Sequence, residues 1–282
     1  MALELGLQVY SVREALKKDF WSTMEAVAKI GYKHIELANH SADKDVGTGF
    51  GIPAAELKKR LDALGLDVVS SHVSPLDKVD VPRLIEYAHA IGNKNIACPM
   101  RFFATHEDVL AFADEMNALG QKLHKEGIQL YYHNHFQEFQ KLGGAVVLET
   151  LLGRTDPRFL KVEFDTFWAL RGGIDPVAYL KKLGTRCELI HQKDLARSAN
   201  PVNLWERIKA DARIDMDGFH NDGARDSDFT EAGEGVMDIK GIIAEARRIG
   251  AAKYLFIEQD RTSRDELESV AISYRNAKRL LA

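Results

Sequence analysis

The chain has almost no cysteine, little proline, no long apolar run and no excess of one charge. Only Cys98 and Cys187 occur among 282 residues, far apart and each inside an apolar, strand-like run. That excludes a disulfide framework and predicts two buried thiols in a reducing compartment, with cytoplasm as the default. No segment approaches about 18 uninterrupted apolar residues, so no membrane-spanning helix is expected. The opening stretch "MALELGLQVYSVRE" has no basic region, long apolar core or small-residue cleavage site, so an unexported protein is expected. Lys and Arg number 38 against 42 Asp and Glu, interspersed rather than in blocks, for a net charge of −4. Neither nucleic acid nor an anionic membrane is expected as a partner. With seven prolines and no low-complexity or Pro-rich linker, nothing divides the chain, and residues 1–282 are read as a single domain.

What is there is a repeat of short apolar runs separated by helical patterns. The strand candidates are Leu5 to Tyr10, His34 to Ala38, Asp67 to Val73, Asn95 to Cys98, Ile128 to Asn134, Leu160 to Phe164, Cys187 to His191 and Tyr254 to Glu258. Most begin about 30 residues apart, the spacing of a βα unit. Between them lie amphipathic segments such as "PAAELKKRLDALG" and "PRLIEYAHAIG", several closing on a glycine as a helix C-cap does. Strands apolar on both faces imply a parallel sheet covered by helices, and eight units predict a (β/α)8 TIM barrel. One interval is irregular: Asp194 to about Ile239, polar and Gly/Asp-rich, follows the seventh strand and is expected to be an active-site loop.

In such a barrel, chemistry sits where the strands end. The run "GIQLYYHNHFQEF" stops at His133, Asn134 and His135, with Glu138 soon after; the sixth strand delivers Asp165, the seventh His191, Lys193 and Asp194, the eighth Glu258, Gln259 and Asp260. Gln8, Tyr10, Glu36, Asn39 and His72 stand at the ends of the first three. Any one of these is commonly structural, a hydrogen-bonded histidine or an Asp capping the next helix. Four consecutive strands aiming His, Asp or Glu at one mouth point instead to a divalent cation, since crowded buried carboxylates repel unless a cation neutralises them. Glu138, Asp165, His191 and Glu258 are the expected ligands, and the mixed carboxylate and imidazole set suits Mn²⁺ first, with Mg²⁺, Co²⁺ or Zn²⁺ as alternatives. Glu163 shares the face of Asp165 and reads either as its partner or as a barrel-core ion pair. His34, His40, His89, His106 and His124 read as surface or packing histidines, and Trp21, Trp205, Phe102 and Phe103 as core or rim. Trp168, three residues after Asp165 at the mouth, is a candidate for substrate contact.

With those residues in place, nearly the whole chain resembles the xylose isomerase-like TIM-barrel superfamily, the sugar phosphate isomerase/epimerase group related to inosose dehydratases and ketose 3-epimerases. The motifs that carry the likeness are "LGLQVYSVR", "HIELA", "SSHVS", "YYHNHFQEF", "VEFDTFWALRGG", "LIHQKD", "GEGVMDIKGI" and "FIEQD". The resemblance implies a metal held by a carboxylate from the fifth strand region together with Asp165, His191 and Glu258. Where epimerases of the group place a glutamate at the end of the fifth strand, this chain has His133. Glu138 in the loop is the nearest carboxylate, as in the dehydratase-like branch, and His133 or His135 is a substitute for ligand or base.

The expected chemistry is removal of a proton next to a carbonyl of a sugar or polyol, with a metal-stabilised enediolate. Glu258 or Glu138 serves as base, His133, His135 or His72 returns the proton or polarises a hydroxyl, and Lys193 anchors a substrate oxygen. Gln8, His72, His135 and Trp168 are expected at the substrate. Epimerisation, isomerisation, inosose dehydration and 3-keto-glycoside elimination all pass through such a site. No phosphate-cradling loop is evident, although Ala232 to Gly235 offers two glycines. A DNA-repair endonuclease like endonuclease IV would want three zincs and a basic surface, and a metal-free binding protein would not need Asp165, His191 and Glu258 together. Barrels of this type often pair into homo-oligomers, but no apolar stripe marks an interface.

Overall fold

A computed structural model describes residues 3–209, 212–223 and 225–282. Eight parallel strands close into a barrel in sequential order: β1 (Glu4–Gln8), β2 (His34–Asn39), β3 (Asp67–Val73), β4 (Asn95–Cys98), β5 (Gln129–His133), β6 (Leu160–Asp165), β7 (Cys187–Gln192) and β8 (Tyr254–Ile257), with β8 pairing back onto β1. Outside them run α1 (Phe20–Ile30), α2 (Ala54–Leu64), α3 (Val81–Ile91), α4 (His106–Lys125), α5 (Val147–Arg154), α6 (Pro176–Leu183), α7 (Ile239–Ile249) and α8 (Glu266–Leu281). The chain is therefore a (β/α)8 barrel, as its apolar periodicity predicts. Each strand lies within two residues of its expected span; β1 is cut short because Val9–Val12 turns into a 3-10 helix, which carries Tyr10 onto the rim.

The sequence sets the helix ends as it sets the strands. Asp80 accepts the Arg83 N–H at the start of α3, whose first turn holds a proline, and Gly92 at φ 78° ends it in the left-handed region. Thr105 and Asp108 form a reciprocal capping box at the start of α4. Alternation along the strands then sorts the side chains. On β5, Leu130 and Tyr132 join the apolar layer between strands and helices, whereas Tyr131 points into the barrel with Val69, Ala97, Leu189 and Phe256. Gly6 on β1 makes room for this filling, since a Cβ there would sit 2.5 Å from the Phe256 ring.

Register fixes which residues share a level. His133 stands opposite Glu163 across β5 and β6, and Asp165 opposite His191 across β6 and β7. After β7 the chain makes a short antiparallel pair, Asp194–Leu195 with Phe229–Thr230. The segment between contributes Leu204, Ile208 and Ile214 to a separate apolar cluster with Phe136, Phe167, Trp168 and Phe229. Arg171 is fully buried beneath it, donating to Asp228 at 2.7 Å and to the carbonyls of Pro201 and Val202. The long interval thus packs over the mouth of the barrel.

Candidate metal centre and active site

Two levels of ionisable side chains fill the upper barrel, joined by two histidines. In the upper level, Lys193 Nζ lies 2.6 Å from Asp165 Oδ2, bonds Glu258 Oε2 and approaches Asp260 Oδ1 to 3.6 Å. His191 Nδ1 meets Glu258 Oε2 at 2.7 Å, and His133 Nε2 is 3.8 Å from Asp165 Oδ2. In the lower level, His191 Nε2 lies 2.6 Å from Glu36 Oε2 and 3.4 Å from Glu163 Oε2. There His72 Nε2 is 2.6 Å from Glu163 Oε2, and His133 Nδ1 is 3.3 Å from the same oxygen. The His72 and His191 rings stack at 5.2 Å, and Gln8 Nε2 donates to Glu36 Oε2 at 2.7 Å.

Burial governs the charges. It pushes Glu36 up to about 7, reinforced by the neighbouring Glu163, and drives His72 down to about 4. Burial holds His133 and His135 well below the ordinary imidazole range, with neighbouring His191 adding to the effect at His133 and Lys193 at His135. For His191, burial acts downward but is outweighed by Glu163, Glu36 and Glu258, so this imidazole stays well above its usual range. Lys193 is likewise held as an ammonium by Asp165, Asp260 and Glu258 against burial. Burial raises Asp260 to about 7 although Lys193 opposes it, whereas Lys193 and His191 overcome burial at Glu258 and keep its carboxyl well below the usual range.

Above this floor lies a cavity of about 580 Å³. One wall is polar, with Tyr10, Arg13, His40, Glu258 and Asp260; the other is apolar, with Phe102, Trp168, Met216, Phe219 and Phe229. A family model described as xylose isomerase-like TIM barrel matches residues 24–278. The chain belongs to that family. Within the xylose isomerase-like barrels, it is 24% identical over 247 residues to an inosose dehydratase of Clostridium beijerinckii, covering 79% of this chain and 76% of that protein. A sugar phosphate isomerase/epimerase from Parabacteroides distasonis superposes with a TM-score of 0.75 at 22% identity, covering 100% of this chain and 96% of that one. The IOLI protein, solved with a zinc atom bound, superposes with a TM-score of 0.72 at 13% identity over 99% and 98% of the two chains.

The residues fit a metal. His133, Asp165, His191 and Glu258 each offer a ligand atom, all within 4.8 Å of one another and all from buried side chains. Two nitrogens and two carboxylate oxygens are the donor set of a borderline or hard divalent cation.

The structure brings together Asp165, His191, Glu258, Lys193 and His133, but it holds the fourth expected ligand, Glu138, elsewhere. Glu138 Oε1 accepts from the Tyr132 hydroxyl at 2.7 Å and Oε2 from the His135 N–H at 2.7 Å. Tyr132 faces outward, so the 3-10 turn Gln137–Phe139 folds Glu138 back onto the outer side of the strand, and His133 occupies its expected place in the ligand group. His72, His135 and Trp168 line the cavity as expected, with the His135 ring 5.2 Å from that of Trp168. Gln8 does not reach the cavity wall; it is fully buried on Glu36. The glycines after Ala232 do not offer a phosphate cradle, because the Gly233 and Gly235 N–H groups both donate to Asp194 Oδ2 at 2.9 Å.

Asp260, Glu36 and Tyr10 stand at strand ends without an expected role, and His40, expected as a surface or packing histidine, lines the cavity against Tyr10. Their strand-end positions were the available signal. The two cysteines are both free and buried, and among the described residues no helix is long and apolar enough to cross a membrane.

Proposed function

We propose that the chain is a divalent-metal-dependent enzyme that removes a proton beside a carbonyl of a sugar or polyol and eliminates a β-hydroxyl, a dehydratase-type reaction. The observation that carries this reading is Lys193, an ammonium held between buried Asp165 and the cavity-lining Glu258 and Asp260. His133, Asp165, His191 and Glu258 would hold the metal, with Mn²⁺ as first choice, and the ion would supply Lewis acidity toward substrate oxygens. The similarity to inosose dehydratases supports dehydration. Isomerisation or epimerisation is the second reading, supported by a 25% identical Parabacteroides structure of that description.

Each residue has a task that its surroundings support. The contacts of Glu258 to His191 and Lys193 run through Oε2, so Oε1 is the base that takes the C–H proton. Lys193 keeps that carboxyl ionised and, as a fixed ammonium, stabilises the oxyanion that develops when the proton leaves. Asp260, on the cavity wall and titrating at about 7, gives a proton to the departing hydroxyl, which leaves as water. His135 is neutral with an unpartnered Nδ1 among the described residues, and accepts a substrate hydroxyl hydrogen. Trp168 packs on the sugar face, and His72 closes the wall below. A cytoplasmic setting suits the two reduced thiols.

The test is exchange in D₂O. Manganese-loaded protein is incubated with inososes, ketoses and 3-keto-glycosides while NMR follows deuterium entry at the carbon beside the carbonyl. Exchange with at least one substrate, lost in Lys193→Met, is the expected result, and an enone product absorbing in the ultraviolet separates elimination from epimerisation. No exchange with any of the three classes would sink the reading.

A further inference from the structure

We infer that the lower level of the cluster, formed by Glu36, His72, His133, Glu163 and His191, is a second divalent-cation site, distinct from the metal site proposed above. His72, His133, Glu163 and His191 each supply a ligand atom within a span of 4.8 Å, all from buried side chains. Glu36 reaches the same place, with Oε2 at 2.6 Å from His191 Nε2 and 3.4 Å from His72 Nε2. Three imidazole nitrogens with one or two carboxylate oxygens are the donors of a zinc-class cation rather than of Mg²⁺ or Ca²⁺.

A second observation points the same way. Glu36 Oε1, Glu163 Oε1 and His133 Nδ1 are buried and have no hydrogen-bond partner among the described residues. Buried polar atoms are nearly always satisfied, and three unsatisfied ones on residues of a single cluster, with His133 Nδ1 facing Glu163 Oε2 at 3.3 Å, are explained by one bound cation. Among the described residues no lysine or arginine contacts these two glutamates, whereas Asp165 and Glu258 have Lys193. Gln8 donates to Glu36 Oε2 from behind and orients it, as partners of metal-binding carboxylates do.

The placement assigns the ion a structural task. Its ligands come from β2, β3, β5, β6 and β7, so it ties five of the eight strands together near their C-terminal ends. His133 and His191 face this site with Nδ1 and Nε2, respectively, and turn their other nitrogens to the upper level. With both ions bound, His133 and His191 would bridge them as imidazolates, their remaining ring protons released to solvent, so the lower ion would fix the orientation of two ligands of the upper one.

Anomalous diffraction tests this directly. Crystals of the whole protein grown with ZnCl₂ and without chelator are measured above and below the zinc edge. A peak at about 2.0–2.2 Å from His72 Nε2 and Glu163 Oε2, alone or beside a second peak at Asp165 and Glu258, supports the proposal. A peak only at Asp165 and Glu258, or none, overturns it. Zinc counting gives an independent check: Glu163→Gln should hold one zinc fewer per chain than wild type after dialysis, whereas Asp165→Asn should keep the lower ion. Unchanged zinc content in Glu163→Gln would count against the site. If that variant does not fold, Gln8→Leu should weaken zinc retention by about 10–100-fold, and unaltered retention would again overturn it. The upper-level reading fails separately, if Asp165→Asn has wild-type proton exchange.

Discussion

Tyr131 and His133 lie two residues apart on one face of β5, as do Leu189 and His191 on β7, and Phe256 and Glu258 at the end of β8. The first member of each pair joins an apolar filling with Val69 and Ala97, and the second stands in a crowd of buried imidazoles and carboxylates. One step of the strand period thus separates a region that behaves like any protein core from one that breaks the usual rules of burial. The lower filling keeps water from reaching the charged level from beneath, and that makes desolvation the first cause of displaced proton affinity at Glu36, His72 and Asp260. An apolar plug and a reactive floor are parts of one device.

The comparison can be broken from either side. Lys193→Met removes the ammonium from Asp165 and Glu258, so turnover should fall by about 10²–10⁴-fold and stability by roughly 3–5 kcal/mol because two buried carboxylates lose their partner. Urea denaturation beside steady-state rates reads both. Phe256→Ala should cost about 3–5 kcal/mol through the cavity it leaves, while turnover per folded molecule changes far less than in Lys193→Met. If both variants lose the same share of activity per folded molecule, the division between plug and floor is wrong.

Smaller effects sharpen it. Phe219, on the apolar wall against His135 and Trp168, has no ring contact with the charged level among the described residues, so Phe219→Ala should raise KM by roughly tenfold with kcat nearly unchanged, the mark of lost uniform binding. Glu138 provides a pH test outside the cluster. Burial lifts its folded pKa to about 7, above an unfolded value of about 4.3, so its stabilising contribution is complete below the unfolded value and is lost as pH rises through about 7. Between about pH 6 and about pH 8.5, Tm of Glu138→Gln should therefore fall less than that of wild type; parallel falls would show that Glu138 does not titrate in this window.

Most of the fold was legible because it rests on local signals. Strand runs, capping residues such as Asp80 and Thr105, and glycine at the ends of helices all repeat with the βα period. The candidate ligands Asp165, His191 and Glu258 were legible for the same reason, since each is the terminal residue of a periodic run or the one just beyond it. Glu138 was not, because a loop carboxylate can turn either way, and the outward Tyr132 hydroxyl and the His135 N–H decide its direction. Glu36 reads in sequence only as a strand-end residue and Glu163 only as a partner of Asp165 or a barrel-core ion pair; that the two meet was not legible, for their closeness depends on the diameter of the barrel, which brings β2 opposite β6. The role of Asp194 was also hidden: its four backbone donors come from Leu195 and from Gly233, Gly235 and Met237, about 40 residues away.

That carboxylate has a consequence for redesign. Asp194 staples the start of the segment after β7 to its end, and the antiparallel pair beside it closes the same neck. Lengthening what lies between the two ends costs little in loop closure, since doubling a closed loop adds only about 0.6 kcal/mol, provided that Arg171 keeps Asp228 and the Pro201 and Val202 carbonyls and that the Leu204, Ile208 and Ile214 contacts are restored. A different segment grafted onto the intact neck with those anchors kept would alter the apolar wall, and with it the choice of substrate, while leaving the proposed acid, base and ligands in place.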